Sequence, residues 1–245
     1  MNNRKFVFLR SGLFFLFLFF PISVFSGSLV LEYKFTSDNA SIASDTSGND
    51  LNGDIEGSGT WHFAAGVAGG GRGLKLNGID NFILVSDNPI FDFNQYTVMA
   101  WVKLKPSPWD RQEVMEKAGA FWVNIRKDTR KVRAGGFFGG CRNGASYFIL
   151  DSSRVVPENT WTHVAATYDG AILRIYINGV LSGKSPVLVP GGPVCVNTEP
   201  LAIAAKHRTI PPPEDAAFFN GGMDTVRIFD AALPGWRIKQ EMLKN

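Results

Sequence analysis

Apolar and polar residues alternate with a period of two along much of this chain, in short runs separated by turn residues. The clearest runs are Trp161–Tyr168 and Ile172–Ile177, which flank Asp169-Gly170. Asp-Gly between such runs predicts a hairpin, because primed turns need positive φ and glycine supplies it without steric cost. A second turn is predicted at Asn178-Gly179. Parity puts Leu173, Ile175 and Ile177 on one face and Arg174, Tyr176 and Asn178 on the other. A sheet buried on one side and wet on the other is expected.

Further strands are predicted at Leu29–Phe35, Leu74–Leu76, Phe82–Val85, Tyr96–Leu104, Phe121–Ile125, Val132–Phe138, Tyr147–Leu150, Leu201–Ala204 and Met223–Phe229. Tyr96–Leu104 sets Val98, Ala100, Val102 and Leu104 opposite Met99, Trp101 and Lys103. One helix is predicted, Pro234–Leu243, with proline near its start. Many short strands with no helical pattern between them predict an all-β fold, a two-sheet antiparallel β-sandwich with a short C-terminal helix. It is expected to be a single domain over residues 27–245.

The first 26 residues read differently. Arg4, Lys5 and Arg10 precede the apolar run Leu13–Phe20, Pro21 ends it, and Val24 and Ser26 suit the −3 and −1 positions of a cleavage site. This predicts a signal peptide cut after Ser26. An uncleaved anchor is the weaker reading, since the run is far shorter than the roughly 20 residues that span a bilayer. No membrane span is expected after cleavage. The chain carries 25 Lys and Arg against 22 Asp and Glu, and three of the basic residues fall in the leader. The mature chain is therefore balanced, which argues against nucleic acid as a partner. A secreted, periplasmic or cell-surface location is expected. Cys141 and Cys195 are the only cysteines; an even pair in an exported chain favours a disulfide, with two buried free thiols as the alternative.

Six segments then occur in one order: LEYKF at 31–35, DTSGN at 45–49, GLKLNGID at 73–80, YTVMAWVK at 96–103, TWTHVAATYDG at 160–170 and FNGGMDTVRIF at 219–229. In these segments the chain resembles a laminin-G-like domain of the concanavalin A-like lectin/glucanase superfamily. The resemblance implies a jelly-roll sandwich and a tendency to bind. It does not imply one activity, since such folds host lectins, adhesion modules and glycosidases.

Calcium is the cofactor the local chemistry suggests. Asp45 and Asn49 bound one turn, Gly78 and Asp80 another, and Asp224 opens the last strand, where parity with Val226 and Ile228 points it inward. Calcium takes 6–8 oxygen ligands, which carboxylates and turn carbonyls supply, and similar domains often hold it near such positions. The alternative is that these aspartates accept backbone N–H groups in Asx turns.

Hydrolysis of a glycan needs two carboxyls facing one cleft. Glu113 and Glu116 are an odd number of residues apart, so on a regular strand they would face opposite ways. Asp110, Arg111 and Glu113 read as solvated charge, and no Glu-x-Asp-x-Glu pattern is present. A non-catalytic protein is expected. His62, His163 and His207 are scattered without metal spacing, and Gly66–Gly73 lacks the Lys-Ser/Thr of a phosphate loop.

A polar-aromatic face remains. With Phe121, Val123 and Ile125 inward, Trp122, Asn124 and Arg126 point outward, joined by Arg133 and Tyr147. Aromatic rings beside Arg and Asn suit a sugar's faces and hydroxyls. Cross-strand packing, or cover by the Trp109 loop, is the alternative. The proline-bearing insert Arg208–Asp215 is a candidate rim. The sequence thus predicts an exported module binding a glycan, with calcium support. The rival readings are a protein-interaction or surface-adhesion module and a divergent glycoside hydrolase or polysaccharide lyase.

Overall fold

The computed structural model describes residues 27–36, 41–58, 62–67, 72–141, 146–187, 192–209 and 214–244. The leader 1–26, the centre of the glycine-rich loop and Pro211, Pro212 and Pro213 lie outside the described residues. In chain order the early strands are β1 (Leu29–Tyr33), β2 (Ile42–Ala43), β3 (Gly53–Glu56), β4 (His62–Ala65), β5 (Arg72–Asn77) and β6 (Phe82–Val85). Then come β7 (Tyr96–Leu104), β8 (Arg111–Lys117), β9 (Phe121–Arg126), β10 (Lys131–Phe137), β11 (Tyr147–Val155) and β12 (Trp161–Tyr168). The last are β13 (Ile172–Ile177), β14 (Val180–Pro186), β15 (Leu201–Ile203), β16 (Lys206–Arg208), β17 (Glu214–Ala216) and β18 (Asn220–Phe229), followed by helix α1 (Gly235–Met242).

Two antiparallel sheets face each other. One runs β14-β13-β12-β7-β18-β5-β4, with β1 also on β18; the other runs β11-β10-β9-β8-β15-β6-β3-β2. Strands β16 and β17 form a separate two-stranded ribbon. Between the sheets lies one apolar core, to which β7 sends Val98, Ala100, Val102 and Leu104, and β13 sends Leu173, Ile175 and Ile177. Tyr96, Phe121, Tyr168 and Phe138 stack through it, with centroids 5.1 Å apart for Tyr96–Phe121 and 4.5 Å for Phe138–Tyr168. Buried Tyr33 donates its hydroxyl to the Leu51 carbonyl at 2.6 Å, as a phenol in a core must.

The expected wet face of the first sheet is covered. Helix α1 lays Ile238, with Leu233 just before it, on Met99, Ala165, Tyr176 and Phe229. Arg227 locks this arrangement: Nε donates to Glu32 Oε1 at 2.7 Å, and another guanidinium N–H donates to the Glu241 carbonyl at 2.7 Å. A cation on the last carbonyls of a helix both satisfies them and suits the helix dipole. Among the described residues no helix is long and apolar enough to cross a membrane.

The turns also exchange roles. Tyr168 pairs with Leu173, so the first connection is a four-residue loop, 169–172, rather than a two-residue primed turn. Asp169 holds it by accepting from the N–H groups of Ala171 and Ile172 at 3.0 and 2.8 Å. The primed turn is Asn178-Gly179, with φ of 51° and 71° between the paired residues Ile177 and Val180.

Seven strands escaped the sequence pattern: the short β2, β3, β4, β16 and β17, and the longer β8 and β14. Strand β14 is an edge with polar residues on it, and β8 (RQEVMEK) carries charge where a core-lining strand shows alternation. Both β8 and β18 contain a β-bulge, at Glu113/Met115 and at Asp224/Arg227. The second overturns the inward placement of Asp224. Met223, Val226 and Ile228 all enter the core, while Asp224 pairs with Trp101 on the other face. One extra residue in the strand reverses the parity beyond it.

Candidate functional site

The outer face of the second sheet carries a cavity of about 390 Å³ lined by Arg111, Glu113, Glu116, Trp122, Asn124, Arg126, Arg133, Tyr147 and Lys206. Strand β9 supplies a third of the lining. Phe121, Val123 and Ile125 fill the core, so Trp122, Asn124 and Arg126 are turned outward. Strand β10 sets Arg133 across from Asn124 and Gly135 across from Trp122. A Cβ on Gly135 would lie 2.7 Å from the Trp122 ring and 2.7 Å from the Phe148 carbonyl, so glycine makes room for the indole. The Trp122 ring lies 5.6 Å from Tyr147 and 6.1 Å from Phe137, with Phe137 edge-on. All five residues proposed as the polar-aromatic face therefore line one cavity.

Arg111, Glu113, Glu116 and Lys206 were not among them. Spacing on a regular strand sends the two glutamates to opposite faces, but the β8 bulge pairs Glu113 with Asn124 and Glu116 with Trp122, both outward residues. Both glutamates thus line the same cavity. The parity on which the expectation of no hydrolysis rested does not hold. Of Asp110, Arg111 and Glu113, Asp110 is solvated, at 65% side-chain exposure, but Glu113 is only 1% exposed, and Glu116 beside it 8%. Lys206 comes from β16, which leads into the proline-bearing insert Arg208–Asp215; no described residue of the insert itself lines the cavity.

Glu113 Oε1 accepts from Arg111 Nε at 2.7 Å and from Asn124 Nδ2 at 3.2 Å. Its Oε2 and the Asn124 Oδ1 are buried without a hydrogen-bond partner. Burial pushes Glu113 up to about 7 against the pull of Arg111. Burial, and then the neighbouring Glu113, raise Glu116 well above the ordinary carboxyl range. No hydrogen bond or ion pair reaches the Glu116 carboxyl among the described residues. The cations of the wall are engaged: Arg133 grips Asp151 with two bonds of 2.7 and 2.8 Å, Lys206 contacts Glu214 at 2.5 Å, and Arg126 lies 3.6 Å from Asp128. The cavity therefore offers aromatic faces, buried acceptors and two carboxyls whose burial favours the protonated form.

The residues proposed for calcium form separate networks. Asp45 accepts from the N–H groups of Glu32, Ser47 and Leu51 and from the Ser47 hydroxyl. Burial opposes its charge, yet these donors hold its carboxyl below the usual range. Asn49 Nδ2 donates to the Val30 carbonyl at 2.8 Å, and the Gly78 carbonyl accepts from Trp109 Nε1 at 2.9 Å. Asp80 accepts from Asn77 at 2.7 Å and from both donors of Ser58. Asp224 accepts from the Val67 N–H at 2.9 Å and the Thr225 hydroxyl at 3.0 Å. Among the described residues no three His, Cys, Asp or Glu side chains converge as a metal site. The three aspartates are engaged in three separate networks and do not converge on one shell among the described residues.

Cys141 and Cys195 form a disulfide spanning 54 residues of chain. His163 is buried against Trp101, and burial first, then Arg227, lower it to about 3, so it packs as a neutral ring. His207 stacks on Phe82 in a small outer cluster with Phe218 and Trp109.

The Laminin_G_3 family model, of the concanavalin A-like lectin/glucanases superfamily, matches residues 76–239. The chain belongs to this family. No curated protein sequence matches it. Among solved structures, domain 4 of AbnA, a GH43 extracellular arabinanase from Geobacillus stearothermophilus, in complex with arabinotriose, superposes with a TM-score of 0.64. Identity there is 23%, over 88% of this chain and 98% of that domain. The binding domain of Paraclostridial Mosquitocidal Protein 1 superposes with a TM-score of 0.66 at 15% identity, over 87% of this chain and 51% of the other. The binding domain of botulinum neurotoxin DC in complex with SialylT gives 0.60 at 16%, over 87% and 50%. The chain spans about half the length of these toxin domains. At such identities the likeness is one of fold, the concanavalin A-like sandwich described above.

Proposed function

We propose that this chain is an exported glycan-binding module and that its ligand lies in the cavity on the outer face of the second sheet. The observation that carries the reading is the meeting of Trp122 and Tyr147 with Asn124, Arg126 and Glu116 in one concave wall. Aromatic rings cover the apolar faces of a sugar, and placed polar groups meet its hydroxyls. The fold neighbour captured with arabinotriose supports it. Export is supported by the disulfide, which forms and persists in oxidising compartments.

Two carboxyls facing one cavity favour a second reading, hydrolysis of a glycan, with one carboxyl protonated and the other ionised. A glycan array followed by calorimetry on the wild type and Trp122→Ala tests the first reading. Binding that the variant loses by about tenfold or more is expected, the usual cost of removing one aromatic platform. No binding to any glycan would sink it. Release of new reducing ends from a bound glycan, lost in Glu116→Gln, would replace it by the second.

A further inference from the structure

The acceptors of this cavity lack donors. Glu113 Oε2 and Asn124 Oδ1 accept nothing, on side chains only 1% and 2% exposed, and the Glu116 carboxyl has no partner among the described residues. Buried polar atoms left this way are costly unless something arrives to meet them. The four cations of the wall do not meet them: Arg126, Arg133 and Lys206 are held beside Asp128, Asp151 and Glu214, and Arg111 reaches Glu113 only at Oε1. What is missing is a compact cation that carries several N–H donors and brings no acceptor with it. The Trp122 and Tyr147 rings beside these atoms suit both a sugar face and a positive charge.

We propose that the cavity takes a glycan bearing a free primary amine, an amino sugar whose nitrogen is not acylated, with its ammonium group between Glu113, Glu116 and Asn124. The inference rests on the glycan reading of the same cavity and narrows it. An ammonium group donates three hydrogen bonds and accepts none, which matches three unmet acceptors. An acylated nitrogen brings one N–H and a carbonyl, and the carbonyl would face carboxyl oxygens. Seating the cation also favours the ionised form of glutamates that burial otherwise keeps protonated. Arg111 and Lys206 already favour the ionised pair, and Glu214 opposes it. Binding is therefore coupled to proton release below neutral pH.

The test compares oligomers of glucosamine with the same oligomers N-acetylated, by calorimetry at pH 6 in two buffers of different ionisation enthalpy. The full mature chain, Glu116→Gln and Trp122→Ala are measured side by side. The free-amine oligomer is expected to bind at least about tenfold tighter than the acetylated one, as charge-assisted hydrogen bonds to a buried acid imply. Glu116→Gln should erase that preference, whereas Trp122→Ala should weaken both ligands alike. Proton release by the wild type alone provides a readout that needs no variant to fold. Equal affinity for the two oligomers, or binding without proton release, overturns the amine inference. If a neutral or acidic glycan binds the cavity instead, the glycan reading survives that failure. If no saccharide binds and Trp122→Ala changes nothing, both fall.

Discussion

Glu113 and Glu116, three positions apart on β8, face the same cavity because the bulge beside Glu113 places two residues of β8 opposite one of β9. Without the bulge one of them would enter the core, where an unpaired carboxyl is costly. The bulge thus sets two acids side by side against aromatic rings. It also gives the cavity its dependence on pH.

That dependence has a definite sign. Burial holds both carboxyls above their ordinary value of 4.5, Glu113 at about 7, and at Glu116 repulsion from Glu113 adds to it. Across that window the folded chain binds more protons than the unfolded one, so this pair's contribution to stability falls as pH rises. Glu116→Gln removes the repulsion. Urea unfolding should show the variant gaining on the wild type between pH 5 and pH 8; an unchanged difference would refute the coupling.

Gly135→Ala should damage the site from below. Its new Cβ meets the Trp122 ring and the Phe148 carbonyl, each at 2.7 Å. Overpacking of this kind costs about 1–3 kcal/mol. Unfolding midpoints should drop accordingly, and glycan affinity should drop with them as the indole is displaced. A variant of wild-type stability would show that Trp122 does not lie over Gly135.

Replacing both cysteines by serine should destabilise the chain without unfolding it. Closing a loop of 54 residues is worth about 4 kcal/mol in the chain-entropy account. The Cys195 N–H still donates to the Phe137 carbonyl at 2.9 Å, and that of Gly139 to Pro193 at 2.9 Å, so the two segments stay apposed. Chemical denaturation with and without reductant measures the loss, and a change below about 1 kcal/mol would contradict it.

Calcium added to chelator-treated protein should leave the melting temperature where it was. The carboxylates of Asp45, Asp80 and Asp224 already accept from backbone and side-chain donors in three separate networks. A ligand that bound only the folded state would raise the midpoint with concentration. A rise of several degrees at millimolar calcium would show that these networks reorganise around the ion.

Much of the site was legible in the chain. Phe121–Arg126 alternates without interruption, so Trp122, Asn124 and Arg126 could be assigned to the outer face from parity alone. The acids could not. Strand β8 buries Gln112, Glu113, Glu116 and Lys117, and such residues read as a loop when partners are unknown. Lys117 shows why: its ammonium contacts Asp87 and donates to the Asn197 carbonyl at 3.0 Å, groups far away in sequence.

The sequence by itself determined the sandwich. A two-residue period recurs from Leu29 to Phe229, and burial of one face per strand is enough to order two sheets around a core. Only the tertiary structure decided where Glu113, Glu116 and Asp224 point. A bulge adds one residue to one strand and leaves its partner regular, so it is a property of the pair. No single strand carries that information, and the cavity's acid pair depends on it.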